Sequence, residues 1–144
     1  MADDALFCVA QKAFVEKDGE VLTLNDPIEG LDFPGGKIQE NEPRDGDPSS
    51  LTEALAREVV EETGLTVEVG EPFFAWYHVF KDPQHRNYGK KVYILGFRCC
   101  YVSGEVRLSH EHDSFKWVNK DNCKAVDDGT DYFDVLQKYF QRYG

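Results

Sequence analysis

Ser50 to Gly64 restricts the fold of this chain most, because it specifies both ends of a helix and the face that has to be buried. Ser50-Leu51-Thr52-Glu53 reads as a capping box, with Ser50 as N-cap and Glu53 reaching back to the cap amide. Gly64 stands where a glycine in the left-handed conformation would end the helix. Between them Leu51, Leu55 and Val59 recur at i+4 spacing and predict an apolar stripe against a core. Glu58, Glu61 and Glu62 stand at i, i+3 and i+4, so they share a different face about one turn long. Carboxylates this close repel one another unless a cation lies between them, so fold and chemistry are expected to use different sides of the helix.

Hard oxygen ligands suit Mg²⁺ or Mn²⁺, and Mg²⁺ commonly combines a few carboxylates with substrate phosphates, which points to phosphate chemistry. The plain alternative is a solvated helix in which Arg57 pairs with Glu53 and Glu61 at i±4. Upstream residues argue against it. In Phe33-Pro34-Gly35-Gly36-Lys37 the glycines allow the backbone to approach a phosphate or to offer a carbonyl to a metal. Taken together, Gly36, Glu42 and Arg57 to Leu65 resemble the signature of the Nudix hydrolases, G-x5-E-x7-R-E-U-x-E-E-x-G-U with U apolar. The half from Arg57 to Leu65 matches in full, and Gly36 and Glu42 keep the first spacing. Fourteen residues, Pro43 to Ala56, separate Glu42 from Arg57 where the pattern has seven. The surplus holds Pro43, Asp45-Gly46 and Asp47-Pro48, all turn-forming, and is read as a loop inserted before the helix.

At 144 residues the chain is expected to form one domain, residues 1–144, with a core large enough to need no disulfides. A formal charge of −11 argues against a nucleic-acid partner, whose binders carry a basic patch. An anionic substrate must then be attracted locally, by metal, by Lys37 and by Lys81, Arg86, Lys90 and Lys91, although that last stretch reads equally well as a solvated hairpin loop. Cys8, Cys99, Cys100 and Cys123 lack C-x-x-C spacing, and neighbours Cys99 and Cys100 should point to opposite faces of a strand, so reduced structural thiols are expected. The N-terminus lacks a basic and apolar signal, and no run approaches a membrane span, so the expected setting is cytoplasmic with no membrane partner.

Ala5 to Val15 and Val21 to Leu24 read as a hairpin turned at Lys17-Asp18-Gly19. After the helix, Thr66 to Val79 and Lys91 to Val102 predict two long strands joined by the polar loop Lys81 to Lys90, with Val92, Ile94 and Phe97 available to a core. Phe115 to Val118 predicts a short strand, and Asp131 to Tyr143 a terminal helix with Tyr132, Val135, Leu136, Tyr139 and Phe140 on its apolar stripe. This is an α+β layout, helices covering a mixed sheet. The Nudix resemblance implies the family's α/β/α sandwich, the mixed sheet flanked by helices.

The resemblance also implies an activity: metal-dependent hydrolysis of a pyrophosphate bond in a nucleoside diphosphate linked to another group. It implies Glu58, Glu61 and Glu62 as ligands of Mg²⁺, or Mn²⁺, with a carbonyl from Gly35 or Gly36. Arg57 would orient the glutamate turn, and Glu42 would support the loop or a second metal. The general base is either Glu58 or Glu111, the latter in Leu108-Ser109-His110-Glu111-His112-Asp113, which looks like the family's late acidic loop, a source of another ligand or base. His110 and His112 also form an H-x-H pair, but no further sulfur or imidazole motif accompanies it.

The substrate signals diverge. Phe33 to Ile38 resembles Nudix enzymes that convert nucleoside triphosphates, oxidised guanine nucleotides included, to monophosphate and pyrophosphate. Arg107 to His112 with Phe115 to Val118 resembles the asymmetrical diadenosine tetraphosphate hydrolases. ADP-ribose hydrolases tend to carry a proline about fifteen residues past the motif, whereas Pro83 falls eighteen past Leu65. The small-molecule nucleotide favoured is a triphosphate. Lys37 would bind it, and Phe33, Trp76 or Tyr77 would stack its base, unless these aromatics serve ordinary sheet or core packing. A nucleotide sensor without catalysis would lack a use for three intact glutamates, and isoprenoid diphosphate isomerisation has only unassigned cysteines in its favour.

Overall fold

The computed structural model describes residues 2–144, so Met1 lies outside it. The elements run β1 (Cys8–Lys17), β2 (Glu20–Asp26), β3 (Gly30–Asp32), β4 (Gly35–Lys37), α1 (Ser50–Thr63), β5 (Thr66–His78), β6 (Val92–Ser103), β7 (Ser114–Val118), a 3₁₀ turn (Cys123–Val126) and α2 (Asp131–Tyr143). Asp18 and Gly19, at φ 52° and 80°, turn β1 into β2. Positive φ at both positions is what a two-residue hairpin turn with the native strand twist requires.

The sheet order is β3-β2-β1-β6-β5, with β4 paired to β1 and β7 to β2. β1 and β6 run parallel and every other pairing is antiparallel, so the sheet is mixed. The hairpin strands pair only beside their turn, Glu16 with Val21 and Lys17 with Glu20. Beyond it they part: β4 takes the place beside β1 while β7 pairs with β2. This parting opens the cleft described below.

β1 shows why both sheet faces are covered. Ala13 and Val15 pack with Leu22, Leu24, Leu55, Val59 and Phe97 on the α1 side, whereas Phe14 packs with Val21, Phe33, Ile94, Leu136 and Tyr139 on the α2 side. A strand buried on both faces reads as a continuous apolar run, as Ala13-Phe14-Val15 does. The result is the expected α/β/α sandwich. Cys99 is buried and Cys100 exposed, as the alternation required. On α2, Tyr132, Val135, Leu136 and Tyr139 are buried, while Phe140 is only partly so.

The start of α1 differs from the capping box. Ser49 is the N-cap and has no side-chain cap bond. The Ser50 hydroxyl instead accepts the Arg44 amide at 3.2 Å, and Glu53 pairs with the Arg44 guanidinium at 2.5 Å. The inserted loop folds back over the helix and supplies competing partners for both cap residues. At the other end Gly64 is left-handed, at φ 76°, and its N–H donates to the Val60 carbonyl at 2.8 Å.

Pro43 to Ser49 is exposed apart from a half-buried Asp47. Deleting these seven residues is expected to change stability by no more than about 1 kcal/mol, since loop length enters closure entropy weakly and the lost Arg44 ion pairs are exposed. Thermal unfolding of the deletion variant measures this; failure to fold would show that the segment packs. No helix among the described residues is long and apolar enough to cross a membrane.

Candidate active site and metal centre

Helical geometry separates the three glutamates. Glu61 and Glu62 are successive residues and so lie about 100° apart around the axis, at 3.6 residues per turn. Glu62 turns inward, 7% exposed, and its Oε2 accepts the Gly35 N–H at 3.3 Å. Glu58 lies half-buried against β4, so close that a Cβ on Gly36 would stand 2.7 Å from its Oε2. Gly35, at φ 132°, has no room either: a Cβ there would sit 2.0 Å from the Gln11 carbonyl oxygen. The glycine pair thus lets β4 and the glutamates approach each other.

Glu61 turns outward and pairs with Arg57 Nε at 3.1 Å. The same guanidinium reaches Glu42 Oε2 at 2.5 Å, while the other oxygen of this buried carboxylate accepts the Gln39 amide at 2.7 Å. Arg57 therefore braces the glutamate turn against the preceding loop. Glu42 is committed to that brace through both oxygens, which fits loop support better than a second metal.

Burial pushes the Glu58 carboxyl up to about 7, helped by the charge of Glu42. Burial likewise raises Glu62 to about 8; nearby Lys12 opposes the rise, and Asp32, Glu111 and Glu58 add to it. Carboxylates held this reluctantly in their charged form would gain from a divalent cation, and their hard oxygens suit Mg²⁺ or Mn²⁺.

The opposite wall comes from residues that the motif does not contain. Lys12 of β1 is buried, its Nζ 3.0 Å from Asp32 Oδ1 and 3.3 Å from the Phe33 carbonyl oxygen. Burial works against the charge on Asp32, but Lys12 outweighs it and holds the carboxyl down near 2, with His112 assisting. Asp32 Oδ2 lies 2.8 Å from His112 Nε2. His112 Nδ1 stands 3.9 Å from Glu62 Oε1, and neither atom has a hydrogen-bond partner among the described residues. Glu111, exposed, joins these two residues, one ligand atom from each of the three lying within 4.8 Å of the others. Lys12 and Asp32 escaped the sequence reading; the available signal was a lysine directly before the apolar run Ala13-Phe14-Val15 of β1, a position where a buried charge survives only with a partner.

One cleft is lined by Lys12, Asp32, Gly36, Glu111 and His112 and also by Glu29, His78, His85, Asn87 and Tyr132. The loop between β5 and β6 is not merely solvated. His85 and Asn87 are buried, His85 stacks on Phe80 at 4.4 Å, and Arg86 lines the cleft. Lys81, Lys90 and Lys91 remain exposed. Asn87 Oδ1 and Glu29 Oε1 are buried without partners among the described residues. Lys37 lines the cleft beside Lys90, and burial together with that like charge lowers its ammonium to about 8.

Two expected substrate contacts are corrected. Phe33 is wholly buried, stacked on Phe14 at 4.0 Å with Tyr132 beyond at 6.1 Å, so it belongs to the core and cannot stack a base. Tyr77 is half exposed and meets Phe7 edge-on at 5.8 Å, outside the cleft. The period of two along β5 is the reason: it sends Trp76 and His78 inward and their neighbour Tyr77 outward. Trp76 packs in the core edge-on to Tyr132.

The profile of the NUDIX domain matches residues 8–139. A MutT-like protein from Streptomyces ambofaciens is 31% identical over 109 residues, 74% of this chain, which spans 60% of that relative's length. CTP pyrophosphohydrolase from Escherichia coli (strain K12) is 27% identical over 116 residues, 77% of this chain and 75% of that protein. Among solved structures, the MutT protein from Methanosarcina mazei Go1 superposes with a TM-score of 0.74 at 28% identity, covering 99% of this chain and 98% of the other. An Ap4A hydrolase from C. elegans superposes with a TM-score of 0.69 at 21% identity over 92% of this chain and 94% of that one, a likeness of fold.

Proposed function

The chain belongs to the Nudix family, and from that premise we propose that residues 1–144 act as a single pyrophosphohydrolase domain on a nucleoside triphosphate, releasing monophosphate and pyrophosphate. The observation that carries the reading is one cleft whose lining combines Glu111 and His112, grouped with the buried Glu62, with the cations Lys37 and Arg86 and with the unpartnered oxygens of Asn87 and Glu29. Carboxylates, cations and unpartnered polar atoms in one cleft offer partners for metal, polyphosphate and base.

Glu58, Glu62 and Glu111, with the Gly36 carbonyl, would hold Mg²⁺ or Mn²⁺, which supplies neutralisation of phosphate charge and ionisation of the attacking water. In this reading Glu58, half-buried against Gly36, is the carboxylate that would accept that water's proton. Arg57 acts through the turn it braces, with Glu61 and Glu42 as its anchors. Lys37 and Arg86 draw the phosphates into a protein of net charge −11. The partners in this reading are small nucleotides, since a net charge of −11 disfavours a nucleic-acid backbone. One relative, CTP pyrophosphohydrolase, is named for a nucleoside triphosphate, which supports that substrate class here.

A second reading, asymmetrical diadenosine tetraphosphate hydrolysis, is favoured by the sequence of the Arg107 to His112 loop. Nucleoside triphosphates and diadenosine tetraphosphate, incubated with protein and Mg²⁺ or Mn²⁺ in ¹⁸O-labelled water, decide between them. Cleavage between the α and β phosphates is expected. Faster release of ATP from diadenosine tetraphosphate, by kcat/KM, would overturn the substrate; binding without product would leave a sensor.

A pH dependence follows from the glutamates. Carboxyls raised from 4.5 to about 7 and about 8 bind protons more tightly folded than unfolded, so their contribution to stability is present below pH 4.5 and is lost as pH rises through 7 to 8. Metal-free protein is expected to lose stability on these groups' account between pH 5 and 8. Added Mg²⁺ or Mn²⁺ should raise Tm more at pH 8 than at pH 5.5; equal gains would refute the assignment.

A further inference from the structure

We propose that His112 Nδ1 is itself a metal ligand, forming with Glu62 and Glu111 a mixed nitrogen and oxygen site that favours Mn²⁺, Co²⁺ or Zn²⁺ over Mg²⁺. This rests on the reading above, in which the cleft holds a metal.

His112 is 7% exposed, and so is Glu62. Their facing atoms, Nδ1 and Oε1, are both buried and both without a hydrogen bond among the described residues. Orphaned buried polar atoms are uncommon because each forfeits its hydration, and two that face each other share one remedy. Their separation of 3.9 Å is too long for a hydrogen bond. It suits two donors on one ion: with bonds of roughly 2.1 Å, two ligands stand between roughly 3 Å apart at a right angle and roughly 4.2 Å apart when opposite.

The remaining contacts fix the orientation. Asp32 already accepts from Lys12 through Oδ1, so its Oδ2 accepts the hydrogen of His112 Nε2 at 2.8 Å. That leaves the Nδ1 lone pair directed at Glu62, the carboxylate–histidine–metal arrangement in which the distal hydrogen bond sets tautomer and ring plane. Glu62 is held on its far side by the Gly35 N–H, which leaves Oε1 available. Glu111 completes the group from the exposed loop. His110 is exposed and takes no part, so H-x-H is not the functional unit; residues from β3 and α1 are the partners of His112. An imidazole ligand shifts preference away from Mg²⁺, which binds oxygen.

Electron spin-echo modulation of Mn²⁺ bound to the whole protein tests this without reference to turnover. Nitrogen modulation is expected in wild type, with a ¹⁵N pattern when histidine alone is ¹⁵N-labelled. It should persist in His110→Ala and vanish in His112→Gln, and calorimetry on His112→Gln should show the Mn²⁺ to Mg²⁺ affinity ratio falling at least about tenfold. Should His112→Gln fail to fold, the labelled wild type and His110→Ala still decide. Bound Mn²⁺ without histidine nitrogen, or modulation retained in His112→Gln, overturns the proposal and leaves the proposed hydrolysis standing. Absence of any divalent binding overturns both.

Discussion

Glu62→Gln is expected to lower kcat/KM on the order of a hundredfold to ten thousandfold while the protein stays folded. A metal's stabilisation of transition-state charge is worth several kcal/mol, and each 1.36 kcal/mol is a factor of ten in rate. The amide keeps the shape of the carboxylate, so the Gly35 contact and the packing of α1 need little adjustment. Because burial already raises Glu62 to about 8, removing its charge should leave Tm of the metal-free protein at pH 8 unchanged or higher. Lost turnover beside retained or increased stability separates a functional carboxylate from a structural one. Normal turnover by a well-folded variant would refute the assignment of this cleft.

Phe33→Ala is expected to do the opposite, removing about 3–5 kcal/mol of stability. Phe33 is wholly buried between Phe14 and Tyr132, at the junction of β1, the β3–β4 turn and α2. Truncation leaves a cavity that three elements would have to close together. For a chain of this length the loss corresponds to a fall in Tm on the order of 10 °C. KM measured well below the new Tm should change little. A raised KM with unchanged Tm would return Phe33 to the base-stacking role that its place in the motif suggested.

These two residues mark where local sequence is informative. The left-handed Gly64, the Asp18-Gly19 turn and the alternation of β5 and β6 are set by bonds and sterics a few residues long, and the structure keeps them. The single face expected of Glu58, Glu61 and Glu62 it does not keep, since Glu62 is buried while Glu61 turns outward to Arg57. The capping box was just as local and still failed, because Arg44 from the inserted loop offered Ser50 and Glu53 other partners. Phe33 and Tyr77 have the right chemistry for a base platform, but which way each ring points depends on strand pairing and on what covers that face.

By itself the sequence determined the family and the helix that carries Glu58 and Glu62; it marked Gly35 and Gly36 as places of close backbone approach to a phosphate or metal, whereas their role in letting β4 lie against α1 came from the structure. Only the tertiary structure decided what faces those carboxylates. Lys12, Asp32 and His112 come from β1, β3 and the loop after β6, the last two 80 positions apart, and no periodicity or turn signal links them. Their meeting depends on the parallel pairing of β1 with β6 and on the parting of the first hairpin. Short-range steric rules act along the chain; a buried polar cluster is chosen by which distant groups can satisfy one another once water is excluded.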